Sequence, residues 1–350
     1  MSRAALAFGM ISLLPLPLLA LAATQGAVWA WIALGYLTLF TFAMDQLIAT
    51  AASTAAADAE FPAADWLLLV LAAGHFALFG LVVVQIGGDK VEGLGHALPL
   101  FLATGLFIGQ VSNSAAHELI HRAKRPLNRL GRWMFISMFF GHHASAHPKV
   151  HHRFVGSDLD PNSARMGESY YRFAVRAWRG SFIAGYRAER AMIGNSPKAW
   201  HPYAEYILGA VAMLLLARAL AGWTGVAVLL GLAGYAQSQL LISDYVQHYG
   251  LRRQKSADGR LEPVTARHSW NAPHWFSGHL MLNAPRHSDH HAHPARAFPD
   301  LALPDAAAAP TLPYSLPVMS VLALLPPVWR RLMDARAADW NAVVARDRAA

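Results

Sequence analysis

Long apolar runs alternate with polar segments along this chain, and the runs have the length of membrane-spanning helices. They occupy about residues 5–23, 27–48, 66–86, 94–116, 203–221 and 226–243. Each is close to the roughly 20 residues that a helix needs to cross about 30 Å of hydrocarbon. The second run follows the first at once, whereas a cleaved signal peptide normally leads into a soluble domain. The pattern predicts an all-α integral membrane protein with six transmembrane helices, folded as a single domain over residues 1–350.

Two shorter apolar stretches do not fit a spanning helix. Residues 133–140 are too few to cross a bilayer and are typical of an interfacial or re-entrant segment. Residues 312–329 are interrupted by four prolines, which break a helix in its interior. We therefore expect the second stretch to lie on the surface.

Composition agrees with a membrane protein and limits its chemistry. Only 14% of the residues are charged, whereas an ordinary soluble domain has about a quarter. The net charge is +8, but the cations flank apolar segments instead of forming a basic patch with interleaved aromatics, which argues against nucleic acid. Anionic lipid headgroups are the expected partner of these cations. Because the chain has no cysteine, a bound metal would need imidazole or oxygen ligands.

Two histidine-rich polar regions, 117–202 and 244–300, follow the fourth and the sixth apolar run. An even number of crossings precedes each region, so both should lie on the face where the chain starts. Fourteen Lys and Arg lie between Arg122 and Pro202, against Lys90 and Arg218 near the opposite links. The positive-inside rule therefore predicts a cytoplasmic, histidine-rich cap.

The histidines recur at a spacing that suits metal binding. In HELIH two histidines lie four residues apart, and on a helix such residues share one face. The same spacing returns in HPKVHH and in RHSDHHAHP, and QHYGL adds one more histidine after the sixth run. Neutral imidazole suits Zn, Cu, Fe and Ni, and nine ligands are too many for one tetrahedral zinc but suffice for two metal ions. The nine candidates are His117, His121, His147, His151, His152, His248, His287, His290 and His291.

These motifs, with the sequel GSDLDPNSARMGES to the second one, closely resemble the histidine boxes of the integral-membrane alkane 1-monooxygenases. That family is related to membrane fatty acid desaturases and to the xylene monooxygenase hydroxylase component. The resemblance implies two non-haem Fe ions, held as a diiron centre by the nine histidines at the cytoplasmic side of a bacterial-type inner membrane. It also implies that O2 and electrons from rubredoxin, reduced by rubredoxin reductase, hydroxylate the terminal carbon of medium-chain alkanes.

The chain departs from the family pattern beside two of the boxes. Gln247 stands where the alkane hydroxylases commonly have glutamate, and Ala284 and Pro285 stand where they commonly have leucine and glutamine. Two related substrate classes therefore stay open, namely the methyl groups of alkyl aromatics, as in the xylene enzyme, and fatty acyl chains. An apolar substrate would enter from the bilayer, and we expect spans two to four to form the walls of its channel.

Acidic residues near the boxes are candidates to orient the ligands, because a metal-bound imidazole usually donates its other N–H to a nearby acceptor. The candidates are Glu118, Asp158, Asp160, Asp244, Glu262 and Asp289.

Two other classes of protein fit part of the pattern. HELIH matches the H-E-x-x-H motif of zinc proteases, with Glu118 as the general base, but an intramembrane protease would leave most other clustered histidines without a role. A metal transporter or sensor would place its histidines inside the spans or in flexible tracts.

Overall fold

The computed structural model describes residues 3–48, 64–194, 200–255 and 258–349. Its regular structure is helical, and two isolated bridges are the only β pairing among the residues described. The predicted all-α fold is confirmed. The α-helices are α1 (Arg3–Leu13), α2 (Pro15–Gln25), α3 (Ala27–Gly35), α4 (Thr41–Leu47), α5 (Ala64–Gly87), α6 (Leu94–Phe107), α7 (Asn113–Ile120), α8 (Arg125–Ser137), α9 (His143–Ala146), α10 (His152–Phe154), α11 (Tyr170–Ile193), α12 (Pro202–His248), α13 (Trp275–Leu280), α14 (His287–Ala292), α15 (Leu316–Ala323) and α16 (Pro326–Ala349). Short π turns cover Tyr36–Phe40, Ile108–Ser112 and His147–His151, and 3-10 turns cover Ala266–His268 and Phe298–Asp300.

Five helical segments of the described chain are long and apolar enough to cross a membrane. They are Leu6–Gln25, Ala27–Leu47, Ala64–Gly87, Leu94–Ile120 and Pro202–His248. The first four coincide with predicted spans one to four, and the fourth continues through a π turn to His117. The link with Asp58 and Glu60, between spans two and three, lies outside the described residues.

Predicted spans five and six form the single 47-residue α12, which is interrupted at Ala221 and Gly222. Gly222 has a φ of 67°, a backbone conformation that favours glycine. A straight helix would separate Tyr203 from Gln237 by about 50 Å. Yet Phe182 of α11 packs on Tyr203, while Trp178, one turn earlier, donates a hydrogen bond to Gln237 Oε1 across 2.9 Å. The two arms of α12 therefore run side by side; the count of six membrane crossings stays a prediction.

Close contacts hold the second arm of α12 against α5 and α6. A Cβ added to Gly87 would lie 2.6 Å from the Cα of Gly225, so these two helices touch through their backbones. Gln239 Nε2 donates to the carbonyl of Gly105 across 2.8 Å, and Asn113 Nδ2 donates to the carbonyl of Ala236 across 3.2 Å. This packing brings the end of α12 beside α7, where the first histidine pair lies.

The two short apolar stretches are helical. Residues 133–140 belong largely to α8, which buries Met134 and Phe135 and exposes Arg125 and Arg129, as expected for an interfacial helix. The proline-rich stretch forms α15 and the start of α16, because its prolines fall mainly in first turns, where they are tolerated. It lies deeper than the predicted surface segment, since Met319 and Trp329 have no exposed area.

Candidate metal centre

The nine predicted histidines converge in two adjacent groups, each compact enough to hold a metal ion. Within a group, one nitrogen from each ring lies within 4.8 Å of all the others. The first histidine group contains His117, His121, His147, His152 and His290. The second histidine group contains His151, His248, His287 and His291.

In the first histidine group, ring nitrogens point at one another. His147 Nε2 lies 2.7 Å from His117 Nε2 and 2.9 Å from His152 Nε2. His152 Nε2 is also 3.1 Å from His290 Nε2. His121 Nε2 is buried and has no hydrogen-bond partner among the described residues. Five nitrogens thus surround one small volume.

In the second histidine group, ring nitrogens also lie close to one another. His287 Nε2 lies 3.0 Å from His248 Nε2 and 3.1 Å from His291 Nε2. The ring of His151 is 4.7 Å from that of His248, centroid to centroid, and its Nε2 is buried without a hydrogen-bond partner in the described part of the chain. All four side chains are buried.

This geometry fits metal binding better than hydrogen bonding. Two imidazole nitrogens on one metal ion, each at about 2.0–2.1 Å, lie roughly 3 Å apart, close to the separations found here. A hydrogen bond needs one proton between each pair, and His147 Nε2, which faces two rings, can carry only one. A cation at the centre of each group would satisfy all of these nitrogens at once.

The protonation states agree with this interpretation. Burial, followed by repulsion from neighbouring imidazoles, holds the pKa of five clustered histidines well below the ordinary value, and burial lowers the pKa of His121 to about 4. The five are His147, His152, His287, His290 and His291. These rings are therefore neutral at physiological pH, which is the form that binds metal ions.

Local structure decides which group each histidine joins. His117 and His121 lie one helical turn apart at the end of α7 and stay together. Pro148 begins a π turn in which the N–H of His152 donates to the carbonyl of His147, five residues earlier. This turn places His147 and His152 in the first group and directs the intervening His151 to the second.

An apolar cavity of about 240 Å³ meets both groups. His117, His147 and His287 line it, and much of its wall is apolar. The apolar contributors include Leu106 of α6, Leu240 and Ile242 of α12, and Leu316 and Val321 of α15. Val321 is 62% exposed on the outer face of α15, so the cavity reaches the side of the helical bundle. Spans two and three, which were expected to form the walls of the substrate channel, contribute none of the described residues that line this cavity. Span four does line it, together with the second arm of α12 and with α15.

Comparison with known proteins agrees with the resemblance drawn from the histidine boxes. A profile of the fatty acid desaturase family matches residues 94–323, about two thirds of the chain. The chain is 34% identical over 270 residues to alkane 1-monooxygenase 1 of Pseudomonas aeruginosa, covering 76% of this chain and 68% of that protein. The chain belongs to the alkane 1-monooxygenase family, within the fatty acid desaturases.

Two further relatives show how far the similarity extends along the chain. Alkane 1-monooxygenase 1 of Alcanivorax borkumensis is 34% identical over 247 residues, which are 69% of this chain and 61% of that protein. The xylene/toluene monooxygenase hydroxylase component of Pseudomonas putida is 27% identical over 278 residues, 75% of this chain and 71% of that protein. The chain thus spans less than two thirds of the length of some of its alkane 1-monooxygenase relatives.

In this member of the alkane 1-monooxygenase family, Asp160 orients one of the clustered histidines. His151 Nδ1 donates to Asp160 Oδ2 across 2.8 Å, and Ser163 Oγ donates to the same carboxylate across 2.7 Å. Burial alone would lower the pKa of His151 and raise that of Asp160, but their mutual attraction reverses both shifts. Asp244 lies one step further out and accepts a hydrogen bond from Asn162 Nδ2 across 2.6 Å.

Three of the other acids have different partners, so their predicted role needs correction. Glu118 Oε2 accepts from the backbone N–H of Phe298 across 3.1 Å and lies 3.6 Å from Arg122. Asp158 has a side chain that is 82% exposed, facing Arg252. Asp289 binds Arg296 and the backbone N–H of Ala302.

The sixth acid, Glu262, also has another partner: its Oε1 is 3.2 Å from Nε2 of His268, which belongs to neither histidine group. Proximity in sequence to a box does not place a carboxylate against that box's free ring nitrogen.

The prediction also missed His143 and Asn162. His143 lines the cavity with its ring stacked 4.8 Å from that of His147, and Asn162 links Asp244 to the loop that carries Asp160. The only signal for His143 was the doublet His142–His143, which resembles the doublets inside the boxes.

Proposed function

We propose that this protein is a membrane-embedded monooxygenase, acting as one hydroxylase domain over residues 1–350, that converts medium-chain alkanes to primary alcohols. The observation that carries the proposal is the apolar cavity that runs from the side of the bundle to both histidine groups. A cavity of this kind can present a hydrocarbon to metal ions held by imidazole. Relatives of this chain are alkane 1-monooxygenases.

We propose that the two histidine groups hold two iron ions, with all nine histidines as ligands. Bound iron would supply the activation of O2 and the attack on an unreactive C–H bond, for which no protein side chain is suited. Asp160 would fix the ring of His151 by accepting from Nδ1, so that Nε2 faces the metal. Because the four side chains of the second histidine group are buried, water has little access to the nitrogens that would bind the metal ion.

The cavity wall would select the substrate by shape. A hydrocarbon dissolved in lipid gains little hydrophobic free energy on entering an apolar cavity, because it leaves an equally apolar solvent. Discrimination then depends on the length and width of the passage between Val321 and the histidines. The substrate would enter sideways from the membrane, past α15.

The lining of the cavity argues against a free fatty acid whose carboxylate lies inside it. No Lys or Arg is present among the described residues that line it, while Asp244 is present. A carboxylate substrate would therefore meet a like charge and no compensating cation. A zinc protease is also unsupported, since Glu118 is bonded to the backbone of Phe298 and does not line the cavity.

A second candidate substrate is the methyl group of an alkyl aromatic. Gln247 Nε2 donates to the carbonyl of Ala284 across 3.0 Å, so two positions that depart from the family pattern form one part of the cavity wall. Ala284 and His287 both line the cavity, and the small side chain of Ala284 occupies less of it than the leucine common in the family would. The xylene/toluene monooxygenase component among the relatives makes this alternative specific.

For electron supply we propose rubredoxin and its reductase, acting at the cytoplasmic face of the inner membrane. The fourteen Lys and Arg between Arg122 and Pro202 support this orientation. Two electrons must arrive for each O2 consumed, and the chain has no cysteine with which to hold an iron–sulfur cluster of its own.

Product analysis tests the proposal. The protein in proteoliposomes, with rubredoxin, its reductase and reduced pyridine nucleotide, would be given isotopically labelled O2 together with octane, xylene or octanoate in parallel. We expect labelled 1-octanol as the main product. Faster formation of labelled benzylic alcohol would favour the second candidate, and an oxidised acyl chain without any hydrocarbon product would contradict both.

A further inference from the structure

A second large cleft, lined by none of the nine histidines, lies where α8 meets the first arm of α12. It has a volume of about 930 Å³. Its lining includes four arginines and two tryptophans, namely Arg122, Arg125, Arg129, Arg132, Trp133 and Trp200. We call it the arginine cleft.

The arginine cleft carries more positive charge than its own acid can neutralise. Glu205 is the one carboxylate among the described lining residues, and it contacts Arg132 at 2.8 Å and Arg129 at 4.0 Å. Arg125 lies exposed beside them. An anion bound here would gain from several guanidinium groups at once.

Arg122, at one end of the cleft, faces two carboxylates of the protein. Its Nε and Nη2 are buried and have no hydrogen-bond partner among the described residues. Asp65 Oδ1 lies 3.6 Å from Nε and Glu118 Oε2 lies 3.6 Å from Nη2, which is within ion-pair distance. The charge of Arg122 is therefore balanced within the protein, and the excess positive charge of the cleft comes from Arg125, Arg129 and Arg132.

The lower wall of the cleft is apolar and faces outward. Leu208 and Ala212 of α12 line it, and Leu208 is 58% exposed on a helix that is apolar enough to span a membrane. Trp200 is 68% exposed, and tryptophan concentrates at the boundary between hydrocarbon and headgroups. Arg122 follows two residues after the spanning segment Leu94–Ile120. The arginines thus lie at headgroup level, with an apolar face directly beneath them.

We propose that the arginine cleft is a binding site for an anionic phospholipid. Its phosphate would accept hydrogen bonds from the arginine forks, and an acyl chain would lie along Leu208 and Ala212. A soluble acidic protein would use the charge but not the outward apolar wall. A zwitterionic lipid would bring its own cation toward Arg125, Arg129 and Arg132 and bind more weakly.

Lipid retention tests this site without any measurement of activity. Full-length protein purified in detergent would be incubated with equal amounts of dioleoyl-phosphatidylglycerol and dioleoyl-phosphatidylcholine, and native mass spectrometry would count the lipids retained. The cleft variant combines Arg125→Gln with Arg129→Gln. The matched control combines Arg187→Gln with Arg190→Gln, two exposed arginines of α11 outside the cleft.

Wild type and control should retain phosphatidylglycerol about tenfold more than phosphatidylcholine, since arginines at headgroup level attract an anionic headgroup and repel the choline cation. The cleft variant should fall to about a twofold preference or less. Equal retention of the two lipids by wild type would overturn the proposal and favour an acidic protein partner. Displacement of the lipid by inorganic phosphate alone would reduce the site to a simple anion site and also overturn it. Equal loss in the cleft variant and the control would show nonspecific charge attraction.

Discussion

His151 Nδ1 donates a hydrogen bond to Asp160 Oδ2 across 2.8 Å, and this leaves Nε2 of the same ring facing the second histidine group. A carboxylate fixes the tautomer because it can only accept. The N–H of Asn162 and the hydroxyl of Ser163 hold the carboxylate in turn. Of the candidate acids, Asp160 is therefore the one that contacts a candidate metal ligand and can fix the orientation of its ring.

Asp160→Asn should weaken metal binding about 10- to 100-fold, because asparagine can present either its oxygen or its NH2 to His151 and no longer enforces one tautomer. Metal content after dialysis against graded chelator measures this. Asp158→Asn removes the same charge two residues away on an exposed side chain and should have no effect. Equal metal loss in both variants would refute the role of Asp160.

His248→Ala should reduce bound iron from about two to about one per chain, because the second histidine group has four imidazoles and this change leaves three. Hydroxylation should be lost while membrane insertion is normal. The control is His96→Ala, which removes a buried histidine bonded to the carbonyl of Ala22 at 2.6 Å and should keep both irons. Full iron content and wild-type turnover in His248→Ala would exclude that residue from the site.

Glu118→Gln should lower turnover by less than about tenfold, less than expected for a residue that orients a ligand. Glutamine can still accept from the N–H of Phe298, and only the interaction with Arg122 is weakened. Steady-state rates with octane, at matched iron content, provide the measurement. Complete inactivation with both irons present would mean that Glu118 takes part in the chemistry.

Val321→Phe should narrow the lateral end of the cavity and reduce the rate for longer alkanes by roughly tenfold relative to short ones, on the scale of one to a few methylenes in an apolar pocket. Metal content should not change. Val328→Phe makes the same change at a residue that is 43% exposed and does not line the cavity, and its chain-length profile should match wild type. Identical profiles for both variants would move the substrate route elsewhere.

The lengths of the apolar runs were sufficient to predict the first four spans, because a run of about 20 apolar residues has few stable structures besides a helix in lipid. The nine clustered histidines were likewise visible in the sequence, since residues four apart share a helical face. Composition also excluded thiolate ligands, because the chain has no cysteine.

The division of the histidines was not predictable, because it depends on the π turn at Pro148 and on packing between distant helices. His147 and His151 have the same spacing as His117 and His121, yet they belong to different groups. The orienting acids depend on loop geometry in the same way: Asp160 is folded back onto His151, whereas Asp289, next to His290 in sequence, binds Arg296. Helix α15 is buried because it packs against α12. That contact could not be predicted from the prolines in its sequence.

Two histidine groups that each hold one iron ion are the centre of the proposed function, and elemental analysis of the purified protein would count these ions. We predict about two irons per chain, because nine imidazoles in two groups exceed what one ion can use. The count should fall in His248→Ala and in Asp160→Asn but not in Asp158→Asn. A single stoichiometric zinc ion per chain, with no iron, would contradict the diiron centre and favour a hydrolytic enzyme.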